Sequence, residues 1–530
     1  MTGAGQLARL AMRRDRLMLV VWVYALTAIA ASGAYALRAL YPTAAGRARF
    51  IASVVYNPSL TFLYGQLHGT SVGALTVWRY GAFGAIGAGL MSIFLVIRHT
   101  RGDEETGRLE LVGAAAVARP AALTAGLLVA VAANAAATLL IGVALAFLGL
   151  PAAGSAAFAL SIGGCGLVFM AVAAVAAQVS GTARGARGIA IAVLGVSYLL
   201  RAVGDSGAAS GLAWLSWLSP DGWVGQVRAF GGDRWWVLAL PGAATAALAG
   251  LAFALAARRD LGSGLIQPRP GPARGGELLR GPLGLAWRLQ RGSLAGWAFG
   301  YLAVFAASGA AAKGIGALLG SSAQLRQAFE RLGGQAAITN AYLAAVMSLA
   351  GLGAGAYATT TVLRLRSEES AQLAEPLLAA PVGRIRWAAS HLAVAVAGTA
   401  VVLAAAGLGA GLGDGLRTGN VATALTSLLG AALAQLPAAL AIAAVAVLLF
   451  GVLPGWCVPG GWAALAVAVL IGLFGPVLRL ATWVLDISPF SHVPRLPGGA
   501  VSAAPLAWLA AIAVALAAAG LAGLRRRDLA

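Results

Sequence analysis

The chain alternates long apolar stretches with short polar ones. Twelve of the apolar stretches are long enough to cross a bilayer, which takes roughly 20 mostly apolar residues. They lie near 17–37, 77–97, 121–149, 156–180, 188–204, 236–257, 293–312, 340–363, 388–411, 423–451, 462–481 and 504–524. In hydrocarbon each must satisfy its own backbone hydrogen bonds, so each is predicted to be a helix. The roughly 10-residue alternating segments of a membrane barrel are missing from the sequence. The predicted fold is all-α: a polytopic membrane protein of about twelve transmembrane helices. The first stretch follows Arg9, Arg13, Arg14 and Arg16. It is long enough to suit a spanning helix better than the core of a cleavable signal peptide.

Composition supports the pattern and narrows it. Of 530 residues, 60% are hydrophobic and 10% charged, and the mean hydropathy is +0.85. That excludes a string of soluble domains and a disordered chain. The net charge of +20 comes from 36 Arg and a single Lys, Lys313. These are scattered between the spans and form no continuous stripe. They act as topology signals and headgroup contacts, not as a nucleic-acid surface. If the N-terminus is cytoplasmic, 24 of the 37 basic residues fall on the cytoplasmic side. The positive-inside rule then places both termini in the cytoplasm, with the chain multi-pass in the plasma (inner) membrane. Trp214, Trp217, Trp223, Trp235 and Trp236 gather between the fifth and sixth stretches. They read as an interfacial anchor more simply than as a gate.

The second half repeats the first. Arg13, Arg16 and Trp22 return as Arg288, Arg291 and Trp297 at the same spacing. After the second span of each half comes an acidic segment, with Glu104-Glu105 matched to Glu368-Glu369 and Glu110 to Glu375 after a one-residue slip. Ser219-Pro220 returns as Ser488-Pro489, and Arg258-Arg259-Asp260-Leu261 as Arg526-Arg527-Asp528-Leu529. Four matches in one order indicate a duplication. Six spans per half, an even number, make the repeats parallel. The expected organisation is a first half at 1–261, a Gly/Pro-rich linker at 262–282 and a second half at 283–530.

The chemistry of an enzyme is missing from the sequence. The four His form no HExxH, and there is no DDxxD or DxD to hold a metal-diphosphate. Cys165 and Cys457 make no CxxC pair, so neither a zinc site nor a disulfide framework is expected. Lys313 lies in ASGAAAKGIG, which fails the phosphate-binding P-loop. No catalytic residue, metal site or bound cofactor is therefore expected. The 17 acidic residues fall in loops or at span ends. That weighs against an ion-coupled efflux carrier, the alternative reading, which needs ionisable groups at membrane depth. A non-transporting scaffold is weaker still.

The acidic segments carry the most information. On a helix running from Glu104, the residues Leu109, Val112 and Ala116 share a face. Leu373 and Leu377 repeat that stripe in the second copy. Each segment is predicted to be a short amphipathic helix with its carboxylates in the first turn, where the helix dipole favours them. Capping is the plain explanation, but a Glu-Glu pair in both copies suggests a docking element whose Leu residues anchor a partner.

With these segments on view, the chain resembles an ABC-2-type permease, the membrane half of an ATP-driven exporter. It is most similar to the long, internally duplicated actinobacterial permeases that export tetronasin-type polyketide antibiotics. The stretch RGDEETGRLELV at 101–112 resembles that family's R-x-x-E-E-x-G-x-x-E-x-L pattern. The resemblance implies that Glu104, Glu105, Gly107, Leu109 and Glu110 form a first ATPase-coupling helix, and Glu368, Glu369, Leu373 and Glu375 a second. In the second copy Ala371 stands in place of the Gly, and Pro376 interrupts the helix. The resemblance further implies connecting helices at 3–16 and 282–292 and re-entrant or surface helices at 205–230 and 482–503. It implies alternating access between the halves and two ATPase subunits per chain, which hold the ATP and Mg. The substrate would be a small hydrophobic or amphipathic compound moving outward, and lipids would surround the chain. Asn134, Tyr342 and Gln435 lie nearest mid-span and are candidates for the substrate path. Interhelical hydrogen bonding is the simpler role for them.

Overall fold

The computed structural model describes residues 3–55, 58–109, 117–118, 120–207, 211–260, 262–266, 276, 281–319, 334–474, 481–500 and 502–528. The chain divides into two compact units, Met1–Gly271 and Pro272–Ala530. Every regular element among the described residues is a helix. Among the described residues, twelve helices are long and apolar enough to cross a membrane, each overlapping a predicted stretch. The protein is an all-α, multi-pass membrane protein.

The first unit contains span 1 (Arg16–Leu40), span 2 (Val72–Glu105), span 3 (Ala121–Phe147), span 4 (Ala152–Val179), span 5 (Ala183–Ser206) and span 6 (Trp235–Arg258). The second contains span 7 (Pro282–Ala312), span 8 (Thr339–Ser370), span 9 (Arg384–Thr418), span 10 (Val421–Val452), span 11 (Pro454–Gly472) and span 12 (Ala503–Arg526). Each unit is built around its second and fourth helices. In the first, spans 2 and 4 are 61% and 72% interior, whereas span 6 is only 17% interior. In the second, spans 8 and 10 are 61% and 56% interior and span 12 is 17%. The outer helices turn Leu, Val and Trp outward, as at Leu17, Val20 and Trp508. Lipid tails are as apolar as these side chains, so such faces need no protein cover.

Small residues let the helices approach closely. On span 9, Gly409 and Gly413 lie against the backbone of span 7 at Leu302, Ala306 and Ala310. On the opposite side of the same helix, Gly407, Gly411 and Gly415 lie against span 10 at Leu428-Leu429, Leu425 and Val421. Span 9 is thus wedged between two neighbours by two glycine rows. Span 10 breaks into Val421–Leu433 and Leu436–Val452. Pro437 sits in the first turn of the second piece, where a missing N–H does no harm.

The lead-in helices differ between the units. In the first, Ala4–Arg14 is a separate amphipathic helix, broken from span 1 at Asp15. In the second, residues 282–292 continue straight into span 7 as one helix, Pro282–Leu319. The resemblance implied connecting helices at 3–16 and 282–292; the first is separate from its span and the second is continuous with its own.

Between spans 5 and 6, the repeated Ser-Pro motif starts a short helix, Pro220–Gln226. Ser219 Oγ accepts from the Gly222 N–H at 3.1 Å and donates to the Ser197 carbonyl at 2.7 Å. Ser197 also donates to Asp221 Oδ2 at 2.5 Å. Asp221 is 1% exposed, and burial pushes its carboxyl up to about 6 despite the Ser197 bond and the nearby Arg201 charge.

Two predictions follow from this packing. Gly413→Leu drives a side chain into immovable span 7 backbone. It should cost about 1–3 kcal/mol or more and lower the melting temperature in detergent. Gly430→Ala, where a Cβ meets open space, should leave melting unchanged or raise it, since Ala is the better helix former. Equal effects of the two would refute the close-packing account. Asp221→Asn tests the second point. An acid with a raised folded pKa destabilises the fold progressively as pH rises from about 4 to about 6, and the penalty stays in full above that. Asn mimics the protonated acid, so the variant should gain up to roughly 3 kcal/mol at pH 7.5 and nothing at pH 4. Melting curves at the two pH values check this.

Candidate functional site: paired carboxylate clasps

Span 2 does not end where its apolar pattern ends. It passes through a wide π turn, Arg98–Gly102, and runs on to Glu105. Span 8 likewise runs unbroken to Ser370. Glu104, Glu105, Glu368 and Glu369 therefore occupy the last turns of spanning helices. They do not begin a separate amphipathic helix, which corrects the expectation from the sequence. At a helix C-terminus the dipole opposes a carboxylate, by about 0.3–1 kcal/mol. Something else holds these acids in place, and for Glu104, Glu368 and Glu369 it is arginine.

In the first unit Glu104 meets Arg259 in a two-pronged ion pair. Nη1 reaches Oε1 and Nη2 reaches Oε2, both at 2.9 Å. The Gly262 N–H adds a bond to Oε1 at 2.6 Å, and Arg101 Nη1 lies 3.1 Å from Oε2. Arg101 is 1% exposed. Its Nε and Nη2 donate to the Ala177 carbonyl at 3.1 and 2.9 Å, and Nη2 also to Ser263 O at 3.0 Å. Arg259 Nε donates to Gln178 at 2.6 Å. Glu105 accepts from the Ala183 N–H at 2.9 Å, at the first residue of span 5. The end of span 2 is thus tied to the end of span 4, the start of span 5 and the chain leaving span 6.

In the second unit Glu369 meets Arg527 the same way. Nη1 reaches Oε1 at 2.6 Å and Nη2 reaches Oε2 at 2.9 Å. Arg366 Nη1 lies 3.1 Å from Oε2. The Arg527 guanidinium also lies 4.8 Å from the Phe450 ring centroid, and its carbonyl accepts from Arg384 at 2.7 Å. Span 8 is thereby tied to the start of span 9 and to the ends of spans 10 and 12.

The two clasps fix the register of the repeat. Arg101, Glu104 and Gly107 correspond to Arg366, Glu369 and Gln372. Gly107 and Gln372 both have left-handed backbones, φ 71° and 56°. Each N–H bonds back to the clasp glutamate's carbonyl at 3.0 Å. The same offset joins Glu110 to Glu375 without a slip. Matching Glu104-Glu105 to Glu368-Glu369 was therefore one residue out: Glu368 corresponds to Asp103, and Gln372, not Ala371, holds the place of the Gly. Nor does Pro376 interrupt a helix. It lies in the first turn of a new one, Glu375–Leu378, with Glu375 beside it.

The residue before each clasp glutamate also repeats. Asp103 accepts from Arg14 at 2.9 Å and Arg108 at 3.2 Å, and His99 Nδ1 is 3.8 Å away. His99 Nε2 lies 2.9 Å from Asp15, at the break after the lead-in helix. Glu368 is met by Arg364 at 2.9 Å and by Trp387 and His391, each at 3.3 Å. His391 Nδ1 is 3.1 Å from Gln290 Nε2.

The remaining predicted residues are placed as follows. Leu373 is 60% exposed, and Leu109 is half-buried beside a cleft that Glu104 and Arg259 also line. Glu110, Val112 and Ala116 lie outside the described residues. Asn134 is buried, donating to Ser92 and to the Ala130 carbonyl, both at 2.8 Å. Tyr342 donates to Ser308 O at 3.2 Å. Gln435 is buried at the break in span 10, against Gly351 of span 8. All three make contacts between helices of their own unit. Sequence reading missed Arg101, Arg259, Arg366 and Arg527 as site residues. The repeated Arg-Arg-Asp-Leu was their signal, but it marked the duplication and was not carried further. Among the described residues no group of three or more His, Cys, Asp or Glu is placed to hold a metal ion.

Two comparisons with known proteins bear on this arrangement. Residues 279–525 match the family model described as "Multidrug efflux system permease Rv1217c, C-terminal domain". The whole chain is similar to the "Multidrug efflux system permease protein Rv1217c" of Mycobacterium tuberculosis (strain ATCC 25618 / H37Rv). The two are 42% identical over 528 residues, which is 99% of this chain and 95% of the relative.

The clasps make a thermodynamic prediction. Breaking a buried pair by removing one partner costs about 3–5 kcal/mol, less here to the extent that Arg259 and Arg527 touch solvent. Glu104→Gln and Arg259→Gln should each destabilise the protein, and the double variant should lose less than the sum. Glu369→Gln with Arg527→Gln should behave alike. Equilibrium unfolding in mixed micelles gives the coupling energies. Additivity within about 0.5 kcal/mol in both cycles would show that the pairs do no work.

Proposed function

The chain belongs to the family of the multidrug efflux system permease Rv1217c, and from that premise we propose that it is the membrane subunit of an ATP-driven exporter. Its cargo is a small hydrophobic or amphipathic, drug-like compound moved out of the cell by alternating access. The chain itself catalyses nothing. ATP and Mg are held by two separate ATPase subunits, one under each unit. Both termini and both clasps face the cytoplasm of the plasma (inner) membrane, where the Arg excess lies.

The observation that supports this reading most is the repeated clasp. A push on the segment after Glu104 or Glu369 reaches, through the guanidinium groups that grip them, the ends of helices on several sides at once. That is a physical network of the kind that coupling needs. The exposed Leu373 supplies an apolar anchor beside it, and Glu105 and Glu375 supply charge. Moving a two-state transporter from 1:99 to 99:1 takes about 5.5 kcal/mol, which apolar docking and nucleotide together can deliver.

Co-purification with the ATPase encoded beside it, followed by reconstitution in inverted vesicles, tests the reading. Drug accumulation should require ATP and survive a protonophore. It should stop when the P-loop lysine of the ATPase is replaced. Leu373→Asp should lower drug-stimulated ATPase activity about tenfold, as a 1.4 kcal/mol loss of docking implies, without lowering the melting temperature. Accumulation driven by a proton gradient without ATP would instead establish the ion-coupled carrier.

A further inference from the structure

A second polar site lies in the first unit, far from the clasp. From Ala82 to Glu104 is roughly 33 Å along span 2 at 1.5 Å per residue. Around Ala82 lies a cleft, with about 420 Å³ of free space when the open region in front of it is included. Its polar lining includes His68, Arg201, Asp205, Asp221 and Arg228, and its apolar wall Val77, Trp78 and Val224.

The guanidinium groups here are not matched as those of the clasp are. Arg201 is 2% exposed. Its Nη2 donates to the Phe62 and Leu63 carbonyls, each at 3.2 Å, and the group lies 4.6 Å over the Tyr198 ring. Its Nε and Nη1 are buried and donate no hydrogen bond. Asp205 Oδ2 stands 3.7 Å from Nη1, too far to serve, while its other oxygen accepts from Ser216 at 2.7 Å. Asp221 is engaged with Ser197. Arg228 Nε is likewise buried without an acceptor. Burial, then the Arg228 and Arg234 charges, push the His68 imidazole down to about 4. A buried donor left unanswered destabilises the state that buries it. Three such nitrogens on two guanidinium groups line one cleft.

We propose that this cleft binds the anionic head of an amphiphile, a phosphate or carboxylate group on an apolar body, with Arg201 and Arg228 as its ligands. The planar guanidinium fork matches an oxyanion. The Val77, Trp78 and Val224 wall takes the first carbons of the body. The site stands whether or not an ATPase drives the chain.

The purified full chain in uncharged detergent is titrated with dioleoyl phosphatidylglycerol, oleate, monoolein and inorganic phosphate, followed by native mass spectrometry and thermal melting. At least one of the two anionic amphiphiles should bind saturably, one per chain, and raise the melting temperature. Which of them binds more tightly tells a lipid source from a free carboxylate. Monoolein and inorganic phosphate should bind at least tenfold more weakly. Arg201→Gln and Arg228→Gln should each weaken binding tenfold or more. Should Arg201→Gln not fold, Arg228→Gln alone decides. Absence of saturable binding, equal binding of monoolein or of inorganic phosphate, or wild-type binding by the folded variants overturns the proposal.

Discussion

A glutamate held against the dipole of its own helix by a two-pronged arginine is the interaction on which each unit closes. Glu104 with Arg259, and Glu369 with Arg527, join the second helix of a unit to the chain leaving its last helix. Neither partner can leave alone without stranding a charge in a poorly solvated place. The second guanidinium, Arg101 or Arg366, approaches from the preceding turn, so each carboxylate faces two cations. Because Arg101 also fills the Ala177 carbonyl, the open end of span 4 is satisfied by the same group. In this way a few ionic contacts fix the ends of helices whose sides are held by apolar packing and a few hydrogen bonds.

That division of labour follows from the solvent. Within hydrocarbon there is no water to release, so helices associate through close contact of small residues and a few hydrogen bonds. The two glycine rows of span 9 and the buried Asn134 of span 3 are examples of each. Charged groups are excluded from that zone and collect at its edges. The structure is accordingly apolar and tightly fitted through its middle and ionic at the ends of its central helices.

Helix positions were legible in the sequence because one physical quantity, apolar length, decides them. All twelve spans overlap the predicted stretches. The clasp was half legible. Its glutamates stood out as a repeated pair, but adjacent identical letters gave no way to choose between two registers. The choice is made by geometry that the letters do not carry: a left-handed residue three positions on, supplied by Gly in one unit and Gln in the other. Its arginines were visible only as a marker of duplication. They lie 155 residues beyond Glu104 and 158 beyond Glu369, so no local spacing rule links them. The helix direction at the acidic segments was misjudged for a related reason. A carboxylate pair looks like a first turn to the dipole rule, and only the distant arginines reverse it.

The units reach similar ends by different residues, which says where the constraint lies. In the first, the polar residue at the lead-in helix is Asp15, and His99 from span 2 stands between it and Asp103. In the second, the corresponding residue is Gln290, and His391 from span 9 stands between it and Glu368. The histidines occupy unrelated positions in the sequence and hang from different helices, yet each bridges the lead-in to the acid preceding the clasp. The lead-in differs too, broken from span 1 but continuous with span 7. A stiff continuous helix holds Gln290 in place by itself, whereas the break at Asp15 needs Arg98 and His99 to fix it. The side chain that makes the bridge has been free to change. The contact between lead-in helix and central helix is present in both units, and it is the contact that the surrounding residues are arranged to preserve.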